Sequence, residues 1–308
     1  MTRMLIPLAA AALCSWLPVA NAQVTLKVKI PDGQKSTTAS VVKVNQTLNI
    51  ASMDVVTGST QQLTISSQNG ERGDDGKITV KQKIEALKAD VEVAGQQLNF
   101  DSAKPDAPPP GTAVDVLLDI FKATAKSKWK VVYGQDNRVL AVEGRGDALK
   151  DLPETLQTIS KKQYDPEYLA RVANDELAVI PTKPVKQGDT WSHENSIRLE
   201  GGQTMTFKTT YRYDGVVEQG GKPLHKITEK TTDVTYAMDA DSPSPLKYVS
   251  SDLKVAESDG TTLFDNEAGQ IVSESSKIKI TGEIKFEANG MQLPAKLDLT
   301  FETNTKRQ

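Results

Sequence analysis

The chain has one cysteine and two histidines in 308 residues. Little is left for thiol or imidazole chemistry. Cys14 lies in an N-terminal segment that reads as an export signal. Arg3 supplies a short positive start, Met4 to Val19 are mostly apolar, and Ala20-Asn21-Ala22 is a small-x-small cleavage site. Cleavage there makes Gln23 the mature N-terminus and removes the only thiol. Lipidation at Cys14 is the competing reading, but Leu13 is a poor residue to precede it. Without a cysteine, the mature chain is denied thiol nucleophiles, Fe–S clusters, Cys-ligated zinc and disulfides. His193 and His225 match neither H-x-x-x-H nor H-E-x-x-H. G-x-S-x-G, P-loop and G-x-G-x-x-G patterns are all missing. Ser251-x-x-Lys254 has the spacing of penicillin-recognising enzymes. It falls in a strand-like segment, where the two side chains point apart. Beyond the signal no apolar run is long enough to span a bilayer. Lys+Arg 37 against Asp+Glu 40 gives a net charge of −3, which argues against a nucleic-acid partner.

What the chain does contain is alternation. From Gln23 to Asp101 apolar and polar residues interchange: Val24, Leu26, Val28 and Ile30, then Val42 to Ile50, Leu63 to Ile65, and Ile78 and Val80. These predict strands. Ile84 to Val93 can also be read as helix. A Pro-rich spacer follows (Pro105, Pro108, Pro109, Pro110), and the period then becomes helical. Thr112-x-x-Asp115 resembles a capping box, and Val114, Leu117, Leu118, Phe121 and Ala125 share one face. Trp129 to Val142 predicts a hairpin turning near 135–137. A second helix is expected over 147–160, with Leu149, Leu152, Leu156 and Ile159 on one side. A third should start at Asp165-Pro166-Glu167, with Leu169, Val172, Ala173 and Leu177 as its apolar face. Alternation returns from Trp191 to the end in short segments, among them 205–207, 209–213, 253–255 and 262–264. The expected organisation is a signal (1–22), an N-terminal β region (23–104), a spacer with helical insert (105–180) and a C-terminal β region (181–308). The fold class is α+β, predominantly antiparallel, with two curved β-meander regions flanking the insert.

Residues 180–191, Ile-Pro-Thr-Lys-Pro-Val-Lys-Gln-Gly-Asp-Thr-Trp, resemble the K-P-V-K-x-G-D-[ST]-W segment of a family of exported bacterial proteins of unknown function. Gly260 to Asp265, Gly269 to Val272 and Lys277 to Gly282 extend that resemblance. It implies a β-rich secreted protein and supplies no catalytic residue.

No catalytic, cofactor or metal residues are assigned. The acidic turns at Glu71, Asp74 and Asp75, and at Asp259, Asp265, Asn266 and Glu267, read as solvated loops. The expected role is a non-enzymatic binding module of the bacterial periplasm or cell surface, taking an apolar small molecule or an envelope protein. After cleavage it would not be an integral membrane protein. A structural component without a small-molecule site, or a carboxylate-based hydrolase, are the alternatives. Leu117, Phe121, Trp191, Tyr211 and Tyr213 are the candidate lining or lid residues, and Trp191 is expected to be buried.

Overall fold

The computed structural model describes residues 23–104, 115–242 and 244–308. The signal segment, the Pro-rich spacer, Thr112 and Val114 lie outside them. Twelve antiparallel strands form one sheet. In chain order they are β1 (Lys35–Ile50), β2 (Met53–Asn69), β3 (Ile78–Val93), β4 (Gln96–Asp101), β5 (Lys128–Tyr133), β6 (Val139–Glu143), β7 (Thr190–Arg198), β8 (Gln203–Gln219), β9 (Lys222–Met238), β10 (Lys247–Asp265), β11 (Gln270–Ala288) and β12 (Met291–Arg307). Helices α1 (Asp115–Ala125), α2 (Glu154–Ser160) and α3 (Pro166–Glu176) lie between β4 and β7.

Four hairpins turn on two residues that both have positive φ: Ala51-Ser52, Ala94-Gly95, Gly220-Gly221 and Asn289-Gly290. That conformation matches the right-handed twist of the flanking strands. The order across the sheet is β6-β5-β3-β2-β1-β12-β11-β10-β9-β8-β7, with β4 beside β3. The first and last strands of the chain therefore pair at the centre. The two β regions expected on either side of the insert are one sheet.

One face is charged. Lys43, Glu302, Lys277 and Asp259 alternate in sign across β1, β12, β11 and β10. Such a face is dressed for water; charge on the outside of a lipid-facing barrel is costly. No helix among the described residues is long and apolar enough to cross a membrane.

The other face carries three apolar clusters. In the first, Leu118 and Phe121 of α1 meet Leu87, Val91, Phe100, Trp129 and Val142, with Leu169 and Ala173 of α3 packed alongside. In the second, Met205, Val234 and Tyr236 touch Leu253, Ile280, Phe286 and Leu297. This contact is possible because β9 and β10 pair only over 225–229 and 260–264, then splay. The third gathers Leu26, Val179, Ile180, Val185, Tyr211, Tyr213, Ile227 and Phe264.

The sheet curls, and α3 spans the gap between its edges. On one side Asn174 Oδ1 accepts from Val139 N–H and Asn174 Nδ2 donates to Val139 O, both at 2.9 Å, so the amide imitates a neighbouring strand for β6. On the other, Tyr168 Oη accepts from Arg198 N–H (2.9 Å) and Arg171 donates to Ser196 O (2.8 Å), both on β7. His193 Nε2 lies 2.9 Å from Asp175 Oδ1. Open sheet edges are liabilities, and a helix covers both.

Several expectations need correction. Residues 24–30 alternate as predicted, and Leu26 is buried, but they form no strand. They make a strap across one end of the sheet: Val24 bridges Val185, Lys29 N–H reaches Gly269 O, and Asn137 and Asn69 hold Val28 O and Pro31 O. Residues 84–93 are strand, not helix. The helix expected over 147–160 is broken, because Leu152 precedes Pro153 and that position disfavours helical backbone. Asp165 caps α3 as anticipated, accepting from Tyr168 N–H. Trp191 is half-buried rather than buried. It sits on edge strand β7, stacked on Tyr211 at 5.7 Å, with its indole N–H on Ala178 O.

Candidate functional site

Directly opposed residues of antiparallel strands point to the same side. One row can therefore be followed across ten strands of the concave face: Phe100, Ala89, Gln61, Val42, Thr303, Ser276, Gly260, Glu229, Tyr211 and Trp191. Its two ends are aromatic. Phe100 stacks on Phe121 of α1 at 5.9 Å, and Tyr211 stacks on Trp191. Its middle is small or polar. The row on one side holds Leu63, Ser40, Thr305, Glu274 and Thr262; the row on the other holds Ser59, Val44, Phe301 and Ile278.

Leu63 and Ile278 pack against the first and second clusters at the margins of this middle, and the residues between them, with Val42, Val44 and Phe301, form a floor that belongs to no cluster. Val42, Val44, Leu63 and Ile278 are only half-buried, and Phe301 is 37 % exposed although it shares the face with the clusters. The floor is amphipathic, with aliphatic side chains set among hydroxyls and amides. Ser40 Oγ and Thr305 Oγ1 bond to each other across β1 and β12 at 3.0 Å.

Three carboxylates face the same interior. Glu229 lies over Gly260, where a Cβ would fall 2.3 Å from its Cγ, and reaches Ser276 on the next strand. Burial, with Glu274 nearby, pushes its pKa up to about 7. Burial also raises Glu274, with Glu176 adding to it. Glu176, at the end of α3, is exposed by its surface area; neighbouring protein raises its pKa, with Asp175 adding to the shift. Arg145 offsets part of this, and that guanidinium lies 3.8 Å over the Trp129 ring. Thr262 Oγ1, beside Glu274, is buried without a hydrogen-bond partner among the described residues. These residues contain no His/Cys/Asp/Glu group suited to a metal ion.

The strap end of the floor closes over a cavity of about 150 Å³. Val28 and Ile30 of the strap, Val80, Leu177, Phe264 and Ile271 form its apolar wall. Tyr133, Gln82 and Arg307 also line it.

The five candidate residues are divided between the two ends. Leu117 and Phe121 pack in the first cluster; Trp191, Tyr211 and Tyr213 belong to the third. Tyr213 Oη pairs with His225 Nδ1 at 2.7 Å. None of them lies on the floor between. The floor residues and Arg307 carry no distinguishing sequence signal, because Ser, Thr and Val in alternating strands resemble any sheet surface.

A family of unknown function (DUF6263) matches residues 75–221, which include the segment 180–191. No curated protein matches the chain in sequence. Among solved structures, one of lipid–protein interactions in lipovitellin is 8% identical with a TM-score of 0.43, over 91% of this chain. This chain spans 25% of that one's length. OccK5 of Pseudomonas aeruginosa is 8% identical with a TM-score of 0.21, over 89% of this chain and 98% of its own. The translocator domain of the autotransporter NalP from Neisseria meningitidis is 6% identical with a TM-score of 0.18, over 88% of each chain.

Proposed function

We propose that this chain is an exported, non-enzymatic binding module holding an amphiphilic small molecule on the concave floor. One observation carries the reading: the floor stays half open although it shares its face with three packed clusters. A face built only for stability would bury Val42, Val44 and Phe301 under a helix. Here α1 and α3 cover the β3–β6 side and leave the centre uncovered. Aliphatic side chains interleaved with hydroxyls suit a ligand that is part apolar and part polar.

The test is native mass spectrometry and organic extraction of the protein purified from its envelope fraction, with a fluorescent apolar probe for affinity. The wild type should carry or take up an amphiphile. Phe301→Glu should keep the fold, since that ring is already exposed, and weaken the probe about tenfold. Wild-type protein that carries no amphiphile and takes no probe would overturn this function in favour of a structural role.

A further inference from the structure

The cavity beneath the strap holds a charge that lacks a partner. Arg307 lies on the concave face of β12, opposite Thr38 of β1. Its side chain is drawn inward far enough for burial to lower its pKa. Its guanidinium donates to Ser36 Oγ at 2.9 Å, and among the described residues no carboxylate comes within ion-pair range of it. Desolvating a cation without an anion is costly, and natural chains retain such a group where something completes it. Tyr133 faces it, and desolvation holds that phenol neutral, so its hydroxyl can donate. Gln82 adds an amide at the same end of an otherwise apolar space.

We infer that Arg307, with Tyr133 and Gln82, receives the carboxylate of a fatty-acid-type ligand whose chain lies along the floor. The inference rests on the binding reading above and names the class of its ligand. Guanidinium and carboxylate match as a two-point fork, which a point cation would not provide. The cavity of about 150 Å³ takes a head group and the first carbons, not a whole lipid. The way out follows β1 and β12: Thr305 and Ser40, then Thr303 and Val42, then Phe301 and Val44. Six residues of strand from Arg307 to Phe301 span roughly 20 Å, the reach of an extended long acyl chain. Glu274 lies beside Thr305 on that path. Its raised pKa makes it a weaker opponent of an anion than an ordinary carboxylate.

The experiment titrates delipidated full-length mature protein with dodecanoate and, separately, with dodecanol. Both should bind wild type. Arg307→Gln should weaken dodecanoate roughly ten- to a hundredfold and leave dodecanol nearly unchanged. Equal effects on both, or none on dodecanoate, would overturn the anchor while leaving the floor reading intact. If neither compound binds wild type, the floor reading fails first. Should Arg307→Gln fail to fold, carboxyl-labelled dodecanoate bound to wild type decides by NMR. Its carboxyl should remain ionised to lower pH than in water. Titration at the value of the free acid overturns the proposal.

Discussion

Glu229 is where the interior makes itself felt on a single side chain. Its ordinary pKa of 4.5 rises to about 7 in the fold. Between those values the folded chain holds a proton that the unfolded chain has released. Stability therefore falls as pH rises through that window and is level above it. Glu176 and Glu274 are raised too and add in the same sense. The wild type should melt lower at pH 8 than at pH 5. Glu229→Gln should melt higher than wild type at pH 8 and show a shallower pH slope. A glutamine variant less stable at pH 8 would show that the ionised carboxylate is better accommodated than its surroundings suggest. Nothing near Glu229 in the sequence announces this role. The side chain lies over Gly260 and bonds to Ser276, 31 and 47 residues further on, which only pairing brings beside it.

At the scale of elements, the sequence was clear where signals are local. Asp165-Pro166 starts a helix, and Gly220-Gly221 turns a hairpin, because capping and positive φ are decided within a few residues. Strand length was not legible. β10 is broken in its pattern because bulges place the extra residues Val249 and Ala256 in it, and β9 carries Thr232 in the same way opposite Lys208 and Thr209. Each bulge adds a residue and resets the period-two pattern. Nor could the part played by α3 be read, since Asn174 looks like any polar residue on a helix. Asn174→Leu strips the N–H and C=O of Val139 of their partners. It should cost about 1–3 kcal/mol in urea unfolding and speed amide exchange at Val139. Unchanged exchange there would mean that water satisfies the edge as well as the helix does.

For the whole molecule, curvature follows from one sheet whose edges meet the same helix. The first cluster fills the side under the insert, the second fills the splay of β9 from β10, and the centre stays open. Leu118 and Phe121 do pack into the concave side, as their spacing implied. Export remains a reading of the N-terminal residues. The mass of the protein recovered from cells should begin at Gln23. A lipid adduct on Cys14 would instead place it on a membrane surface.

The pairing of β1 with β12 also sets a timetable. Ser40 and Thr305 touch across 265 residues of chain. At about 5–20 residues per second, β1 leaves the ribosome tens of seconds before its neighbour exists. Until then one long border of β1 is an unsatisfied template, and β2 to β6 form a fragment that other chains could extend. Contacts so distant in sequence slow folding. Such a chain has reason to meet a holding chaperone before it meets its own last strand.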